Sequence, residues 1–149
     1  MTRPKSGAVL LDANLLIALA WPQHVHHELA HQWFAAARAK PWATCPLTQL
    51  AFVRISSNPK IIRDARRPAE AAALLRQLTE HPTHVFWPDR LDVAKLRSFE
   101  SVALVGHRQV TDAYLVELAR ANDGHVATLD RGLAEWLPQA DRVLIEWLG

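Results

Sequence analysis

Three aspartates in this chain stand where a predicted strand ends or a predicted helix begins. Asp12 follows the apolar run 8–11, and Asp130 follows the apolar run 126–129. Asp112 stands at the start of the predicted helix 111–122. A carboxylate in such a position is poorly placed to pack in a core and well placed to bind a divalent cation. If the three carboxylates lie together, they form a magnesium site.

The chemistry that suits such a site is metal-assisted hydrolysis of a phosphodiester. A magnesium or manganese ion lowers the pKa of bound water and neutralises charge that develops at the phosphorus, and two ions about 3.5–4 Å apart can stabilise both the entering and the leaving oxygen. The sequence also offers polar neighbours for the carboxylates. We expect Asn14, Thr111 and Thr128 to orient the carboxylates or a water molecule.

Each aspartate also has a simpler structural interpretation. Asp12 could cap a helix, Asp112 could be a favourable acid in a first helical turn, and Asp130 could be a turn residue. Any one of them alone would favour the structural interpretation. All three at one predicted edge favour the metal site.

The apolar pattern predicts strands that alternate with helices. This order predicts an α/β fold with a central parallel sheet of about four to five strands, in which ligands bind beyond the carboxyl ends of the strands. Thr111 is expected to cap its helix, and Asp123-Gly124 to end it. The predicted strands are 8–11, 42–45, 84–87, 126–129 and 143–147, and the predicted helices are 14–20, 25–39, 46–56, 68–80, 89–99, 111–122 and 131–137.

Composition places the chain among globular proteins of the reducing cytoplasm. The 149 residues are 50% hydrophobic, which predicts a single domain over 1–149. The one cysteine, Cys45, cannot form an internal disulfide, and we find no secretory signal. The longest apolar stretches are too short to span a bilayer, so we expect no membrane association.

Basic residues and tryptophans suggest contacts with nucleic acid. The net charge is +2, and five cations fall in one stretch, which is either a phosphate-binding stripe or a solvated surface. Of the six tryptophans, Trp33, Trp136 and Trp147 are expected in the core or an interface, and Trp21 and Trp42 at exposed or dimer positions. The five cations are Arg54, Lys60, Arg63, Arg66 and Arg67.

A competing motif belongs to another class of enzyme. His27-Glu28-Leu29-Ala30-His31 fits the H-E-x-x-H pattern of zinc proteases, in which two histidines one turn apart bind zinc beside a glutamate base. No third ligand stands out downstream. The alternative is a histidine-rich exposed face.

Three short motifs together resemble those of PIN-domain ribonucleases. They are LLDANLL at 10–16, TDAYL at 111–115 and ATLDRGL at 127–133. The segment 48–58, followed by Pro59, is similar to the middle of VapC-type toxins, the PIN-domain members of bacterial toxin–antitoxin pairs. The similarity covers nearly the whole chain, and its specificity comes from the combination of the motifs.

The resemblance implies a fold, an activity and partners. The fold is a three-layer α/β/α sandwich, and the activity is that of a magnesium- or manganese-dependent endoribonuclease acting on RNA. The expected partners are a VapB-like antitoxin that blocks the active site and a second copy in a homodimer. Asp12 matches the first acid of the family, Asp112 a later metal ligand and Asp130 the last acid.

One departure from the family affects the expected number of metal ions. Family members usually carry another acid in the helix after the second strand, whereas here 46–54 contains no Asp or Glu and either Gln49 or Ala51 takes that place. Catalysis then uses fewer ions, or Glu117 or another carboxylate compensates. The alternative function is an RNA-binding module with a degenerate metal site, which would bind RNA without turnover.

Overall fold

A five-stranded parallel sheet forms the centre of the molecule. The computed structural model describes residues 7–100 and 106–149. Across the sheet the third strand in the chain is at one edge, followed by the second, the first, the fourth and the fifth, and every neighbouring pair is parallel. The strands are Val9–Leu11 (β1), Trp42–Thr44 (β2), His84–Phe86 (β3), His125–Thr128 (β4) and Ile145–Trp147 (β5).

Helices cover both faces of this sheet. Successive side chains of a strand point to opposite faces. Val9 and Leu11 accordingly pack in a cluster with the first four helices, and Leu10 packs in a cluster with the fifth. Both faces of β1 are buried, which explains its continuous apolar run. The helices are Ala13–Ala20 (α1), His27–Ala37 (α2), Pro46–Ser56 (α3), Pro68–Thr79 (α4) and Val110–Ala121 (α5).

The predicted α/β/α class with a parallel sheet is therefore confirmed. Two helices begin with a proline at their first position, where the missing N–H would have had no partner within the helix. In α3 the hydroxyl of Thr48 also accepts a hydrogen bond from the backbone N–H of Cys45, at 3.1 Å. None of the helices in the described part of the chain is long and apolar enough to cross a membrane.

Two of the predicted helices are only short 3₁₀ turns. The segment 89–99 contains the turns Val93–Lys95 and Arg97–Glu100, because the Asp92 carboxylate accepts a hydrogen bond from the N–H of Ala94 and so starts a turn there. The segment 131–137 contains one turn, Arg131–Ala134. The predicted last strand is shorter than expected, since a 3₁₀ helix over Gln139–Leu144 precedes β5.

The ends of α5 differ from the prediction. The helix begins one residue earlier than expected, with Gln109 at the N-cap, so Thr111 lies inside the first turn and is not a cap. At the other end Asp123 takes the left-handed conformation, with φ of 53°. Gly124 follows it and packs against the carbonyl oxygen of Ala8 and the ring of Trp87. This glycine is therefore required for close packing, while the aspartate makes the turn.

The packing at Gly124 gives a prediction for stability. A Cβ at this position would collide with the Ala8 carbonyl and come within 2.7 Å of the Trp87 ring. We expect Gly124→Ala to lower the free energy of unfolding by about 2 kcal/mol, a typical effect of overpacking. Urea denaturation measures the change. The control is Gly106→Ala, because a Cβ there meets nothing within 4 Å; equal stability of the two variants would contradict the prediction.

Candidate metal centre

The buried hydroxyl of Thr128 connects three of the residues that the sequence singled out. It donates a hydrogen bond of 2.8 Å to Oδ2 of Asp12. It accepts hydrogen bonds from the side-chain amide of Asn14, at 3.3 Å, and from the backbone N–H of Asp130, at 3.0 Å. The hydroxyl at the end of β4 therefore fixes the end of β1, the start of α1 and the loop that follows β4.

Hydrogen bonds to β4 and to the first residue of α1 hold Asp12 in place. Its backbone N–H donates to the carbonyl of Ala127 at 2.9 Å, and its Oδ1 accepts from the N–H of Ala13 at 2.8 Å as the N-cap of α1. Burial raises the pKa of Asp12, the hydrogen bonds from Thr128 and Ala13 oppose that rise, and the charge of Asp130 adds to it. The capping role expected for Asp12 is real, and it leaves the carboxylate at the carboxyl end of the sheet.

Asp130 also has a local structural role. Its Oδ1 accepts a hydrogen bond of 2.9 Å from the N–H of Gly132 and so caps the turn Arg131–Ala134. Because β4 lies next to β1 in the sheet, this capped turn places the carboxylate near Asp12.

Asp112 brings a third carboxylate to the same place from α5. It is the third residue of that helix and is half-buried. Burial, and after it the negative charges of Asp12 and Asp130, together raise the pKa of Asp112 to about 7. The three carboxylates are therefore close enough to repel one another, although they come from two strands and a helix.

Within the side chains that the structure describes, no ion pair offsets the negative charge of this cluster. In the described residues, no salt bridge joins any of the three aspartates to a lysine or an arginine. Three uncompensated carboxylates are a donor set that fits a hard divalent cation. They do not form a ready-made cage, because within 7–100 and 106–149 no three His, Cys, Asp or Glu side chains are arranged to hold a metal. Two of the carboxylates also accept hydrogen bonds from the protein, Asp12 from Ala13 and Thr128, and Asp130 from Gly132.

The helix after β2 supplies no charge to the cluster. Nε2 of Gln49 donates to Oγ1 of Thr44 at 2.9 Å, and the same oxygen lies 2.7 Å from Nε2 of His84. Glu117 does not compensate, and that prediction is wrong. Its carboxylate accepts a hydrogen bond of 2.6 Å from Ser98 and lies 3.6 Å from Arg120, so this acid is used elsewhere on α5.

Thr111 does not belong to the polar network. It is exposed, and with Leu47, Val110 and Tyr114 it lines a separate cavity near the start of α5. Its hydroxyl has no hydrogen bond to the three carboxylates in the described structure. The expected role of Thr111, to orient a carboxylate or a water molecule, stays a prediction that no hydrogen bond in the described residues supports.

The predicted phosphate-binding stripe lies away from the carboxylates. Residues 61–66 line a cavity with Trp21, which follows the last residue of α1, whereas Asp12 caps its first turn. An eight-residue helix separates these positions by about 12 Å. Two of the cations also pair with Glu70, Arg66 at 3.7 Å and Arg67 at 3.2 Å. All five cations are exposed: Arg54, Lys60, Arg63, Arg66 and Arg67.

The zinc-protease interpretation of HELAH is wrong. Nδ1 of His27 lies 2.7 Å from the carbonyl oxygen of Ala18, and Nε2 of His31 lies 2.9 Å from that of Leu19. The two histidines thus satisfy carbonyl groups in the last turn of α1. The described residues supply no third ligand beside them.

The prediction of an exposed or dimer position is wrong for Trp42, and Trp147, expected in the core or an interface, does not lie in the core. Trp42 is buried with 1% of its surface exposed, whereas Trp147 is 49% exposed. The guanidinium carbon of Arg131 lies 5.7 Å from the centre of the Trp147 ring. The sequence offered one signal for this pair: Arg131 directly follows Asp130, and Trp147 ends the predicted last strand.

Comparison with known proteins identifies the family to which this α/β fold belongs. Residues 9–136 match the model of the PIN domain family. Ribonuclease VapC29 of Mycobacterium tuberculosis is 47% identical over 126 residues, which are 85% of this chain and 88% of that protein. Ribonuclease VapC39 of the same organism is 42% identical over 85% of this chain and 91% of its own length. For ribonuclease VapC38 the identity is 42%, over 93% of this chain and 96% of that protein.

Proposed function

The chain belongs to the PIN-domain family and resembles its VapC ribonucleases over most of its length, and from this premise we propose that it is a magnesium-dependent endoribonuclease, the toxin of a type II toxin–antitoxin pair. The observation that supports the metal-dependent activity is the mutual repulsion of Asp12, Asp112 and Asp130, which contributes to the raised pKa values of Asp12 and Asp112. Parallel α/β folds place ligands at this edge of the sheet.

The three aspartates would hold the cation, Mg²⁺ or Mn²⁺. When bound, this cation would lower the pKa of a water molecule and neutralise charge on the reacting phosphate. Because the pKa of Asp112 is raised to about 7, this carboxyl gives up its proton to serve as a ligand at neutral pH. Thr128 and Asn14 keep the Asp12 carboxylate at the sheet edge. Because 46–54 contains no Asp or Glu, the helix after β2 adds no negative charge to the site, which favours fewer ions than an additional acid would.

The proposed substrate is RNA, and the basic residues 54–67 would contact its backbone. Lys60 and Arg63 are exposed and Arg54 lies on the outer side of α3. Because Arg63 and Arg66 line a cavity with Trp21 at the far end of α1 from Asp12, these two cations would bind phosphates away from the cleaved bond. Cleavage-site geometry would then depend on residues nearer to the aspartates.

The family also implies partners, which we propose for this chain as well. A VapB-like antitoxin would cover the carboxylates, and a second copy would form a homodimer. We also propose that the protein acts in the cytoplasm, where its RNA substrate is found.

The direct test of the function is cleavage of RNA with and without metal. We expect the purified protein to cut RNA in magnesium or manganese, and to stop when EDTA removes the ion, because only the cation neutralises the reacting phosphate. Gel electrophoresis of a labelled RNA measures cleavage, and filter binding measures how much of that RNA the protein binds. The absence of an acid from 46–54 motivates the rival function, an RNA-binding module. RNA binding that survives EDTA, without cleavage in any metal, would favour that module.

The Thr128 network gives a prediction for the same assay. Thr128→Val removes the hydroxyl that donates to Asp12 and accepts from Asn14. We expect a loss of about 10- to 100-fold in metal affinity or activity, the usual effect of removing a group that orients a metal ligand. Thr128→Ser is the control, because it retains the hydroxyl. Activity of the valine variant equal to that of the serine variant would show that the hydroxyl does not position Asp12.

A further inference from the structure

The exposed ring of Trp147 lies at the carboxyl ends of the strands, on the same face of the sheet as the carboxylates. Trp147 pairs with Thr128 in the register of β5 and β4, and the N–H of Leu148 donates to the Thr128 carbonyl at 2.9 Å. Paired residues on neighbouring strands project to one face, with strands about 4.8 Å apart. The ring thus starts one strand away from the hydroxyl that holds Asp12.

A packing role does not account for this tryptophan. The rings of Trp42 and Trp136 are 1% and 5% exposed, as expected of core residues, whereas Trp147 is 49% exposed. The backbone of Gly149 lies against part of its six-membered ring. Half of a large aromatic side chain nevertheless remains in contact with solvent beside the proposed active site.

Arg131 adds a positive charge to this ring. Its guanidinium carbon lies 5.7 Å from the ring centre, within the range of a cation–π interaction. Arg131 follows Asp130 directly, so the same turn that carries a proposed metal ligand carries this cation. In the described structure Arg131 makes no salt bridge with an acid, and its charge is therefore available to a phosphate.

We propose that Trp147 and Arg131 form a binding site for one nucleotide of single-stranded RNA next to the cleaved phosphodiester. This proposal rests on the proposed ribonuclease function and adds the form of its substrate. The indole stacks on the base, and the guanidinium binds the adjoining phosphate or stacks on the base as well. A base in a duplex has its faces covered by its neighbours, so the site selects unpaired RNA.

Binding of RNA without turnover tests the proposal. Fluorescence anisotropy in EDTA measures the affinity for a labelled single-stranded oligonucleotide. We expect Trp147→Ala to weaken binding by roughly tenfold, within the range for loss of one base–aromatic stack, and Trp147→Phe to retain most of the affinity. Phe86→Ala is the matched control. Phe86 is also 49% exposed, but it lies on β3, the outer strand on the other side of the sheet from β5.

Abasic nucleotides distinguish stacking from a structural effect. A set of oligonucleotides with one abasic position each should contain a position that weakens binding to the wild-type protein, and Trp147→Ala should remove that penalty. Arg131→Gln should make the affinity less dependent on salt, by about one phosphate contact. If Trp147→Ala binds every oligonucleotide as the wild type does, the proposal is overturned, even where the wild type cleaves RNA. If the wild type never cleaves but the abasic penalty depends on Trp147, the nucleotide site stands and the proposed catalysis fails.

Discussion

Asp12→Asn should reduce RNA cleavage by about a hundredfold or more while the protein stays folded. The variant loses one negative charge from the proposed metal site, and a cation supplies several kcal/mol of charge stabilisation to such reactions. Asparagine retains an oxygen that can accept from the N–H of Ala13 and so keeps the cap of α1. Burial already raises the pKa of Asp12, so a neutral side chain suits this position in the metal-free protein.

The control for this variant is Asp92→Asn. Asp92 also caps a helical turn, by accepting from the N–H of Ala94 at 3.0 Å, and it is exposed. It therefore tests the loss of one capping carboxylate outside the cluster. Single-turnover cleavage measures the rate, and circular dichroism checks the fold. Wild-type cleavage by Asp12→Asn would exclude the proposed metal site.

The positions of Asp12 and Asp130 could be predicted from strand boundaries, and that of Asp112 from the start of the predicted helix 111–122. The apolar runs before Asp12 and Asp130 identify buried parallel strands, and parallel strands end at one edge of the sheet. Asn14 and Thr128 could be predicted for the same reason, since each lies within two residues of a strand end or an aspartate. Sequence proximity to a well-defined strand end thus identified most of the cluster.

The residues that were predicted wrongly depend on contacts between distant segments. Thr111 was expected to cap α5, but the helix begins one residue earlier and Gln109 takes the N-cap position. The two histidines of HELAH have zinc-ligand spacing, but the end of α1 lies beside them and takes their hydrogen bonds. Local spacing describes a helix face and not what packs against it.

Exposure of tryptophans could not be read from local hydropathy. Trp42 begins a three-residue strand in the centre of the sheet, where neighbours on both sides bury it. Trp147 ends a strand at the edge of the sheet, where only one side has a neighbour. The difference comes from the order of strands in the sheet, which the sequence does not state.

Asp112→Asn should stabilise the metal-free protein at pH 8. The pKa of Asp112 rises from 3.8 to about 7 on folding, so between these values the folded protein keeps a proton that the unfolded chain releases. The contribution of this group to stability is therefore lost as pH rises from about 4 to 7, and the loss is complete above pH 7. Since Asp112 is partly exposed, solvent screening limits the effect, and we expect a gain of about 1–2 kcal/mol for the variant.

Urea denaturation in EDTA at pH 4 and pH 8 measures this gain. The difference between Asp112→Asn and the wild type should be small at pH 4 and largest at pH 8, while Asp92→Asn reports the effect of removing one charge elsewhere. Magnesium should reverse the order at pH 8, because a ligand that binds only the folded wild-type site stabilises it. If Asp112→Asn is no more stable than the wild type at pH 8 in EDTA, neither burial nor the neighbouring carboxylates destabilise the charged form of Asp112. The cluster would then lack the electrostatic reason to bind a cation, so this experiment tests the proposed metal centre without measuring catalysis.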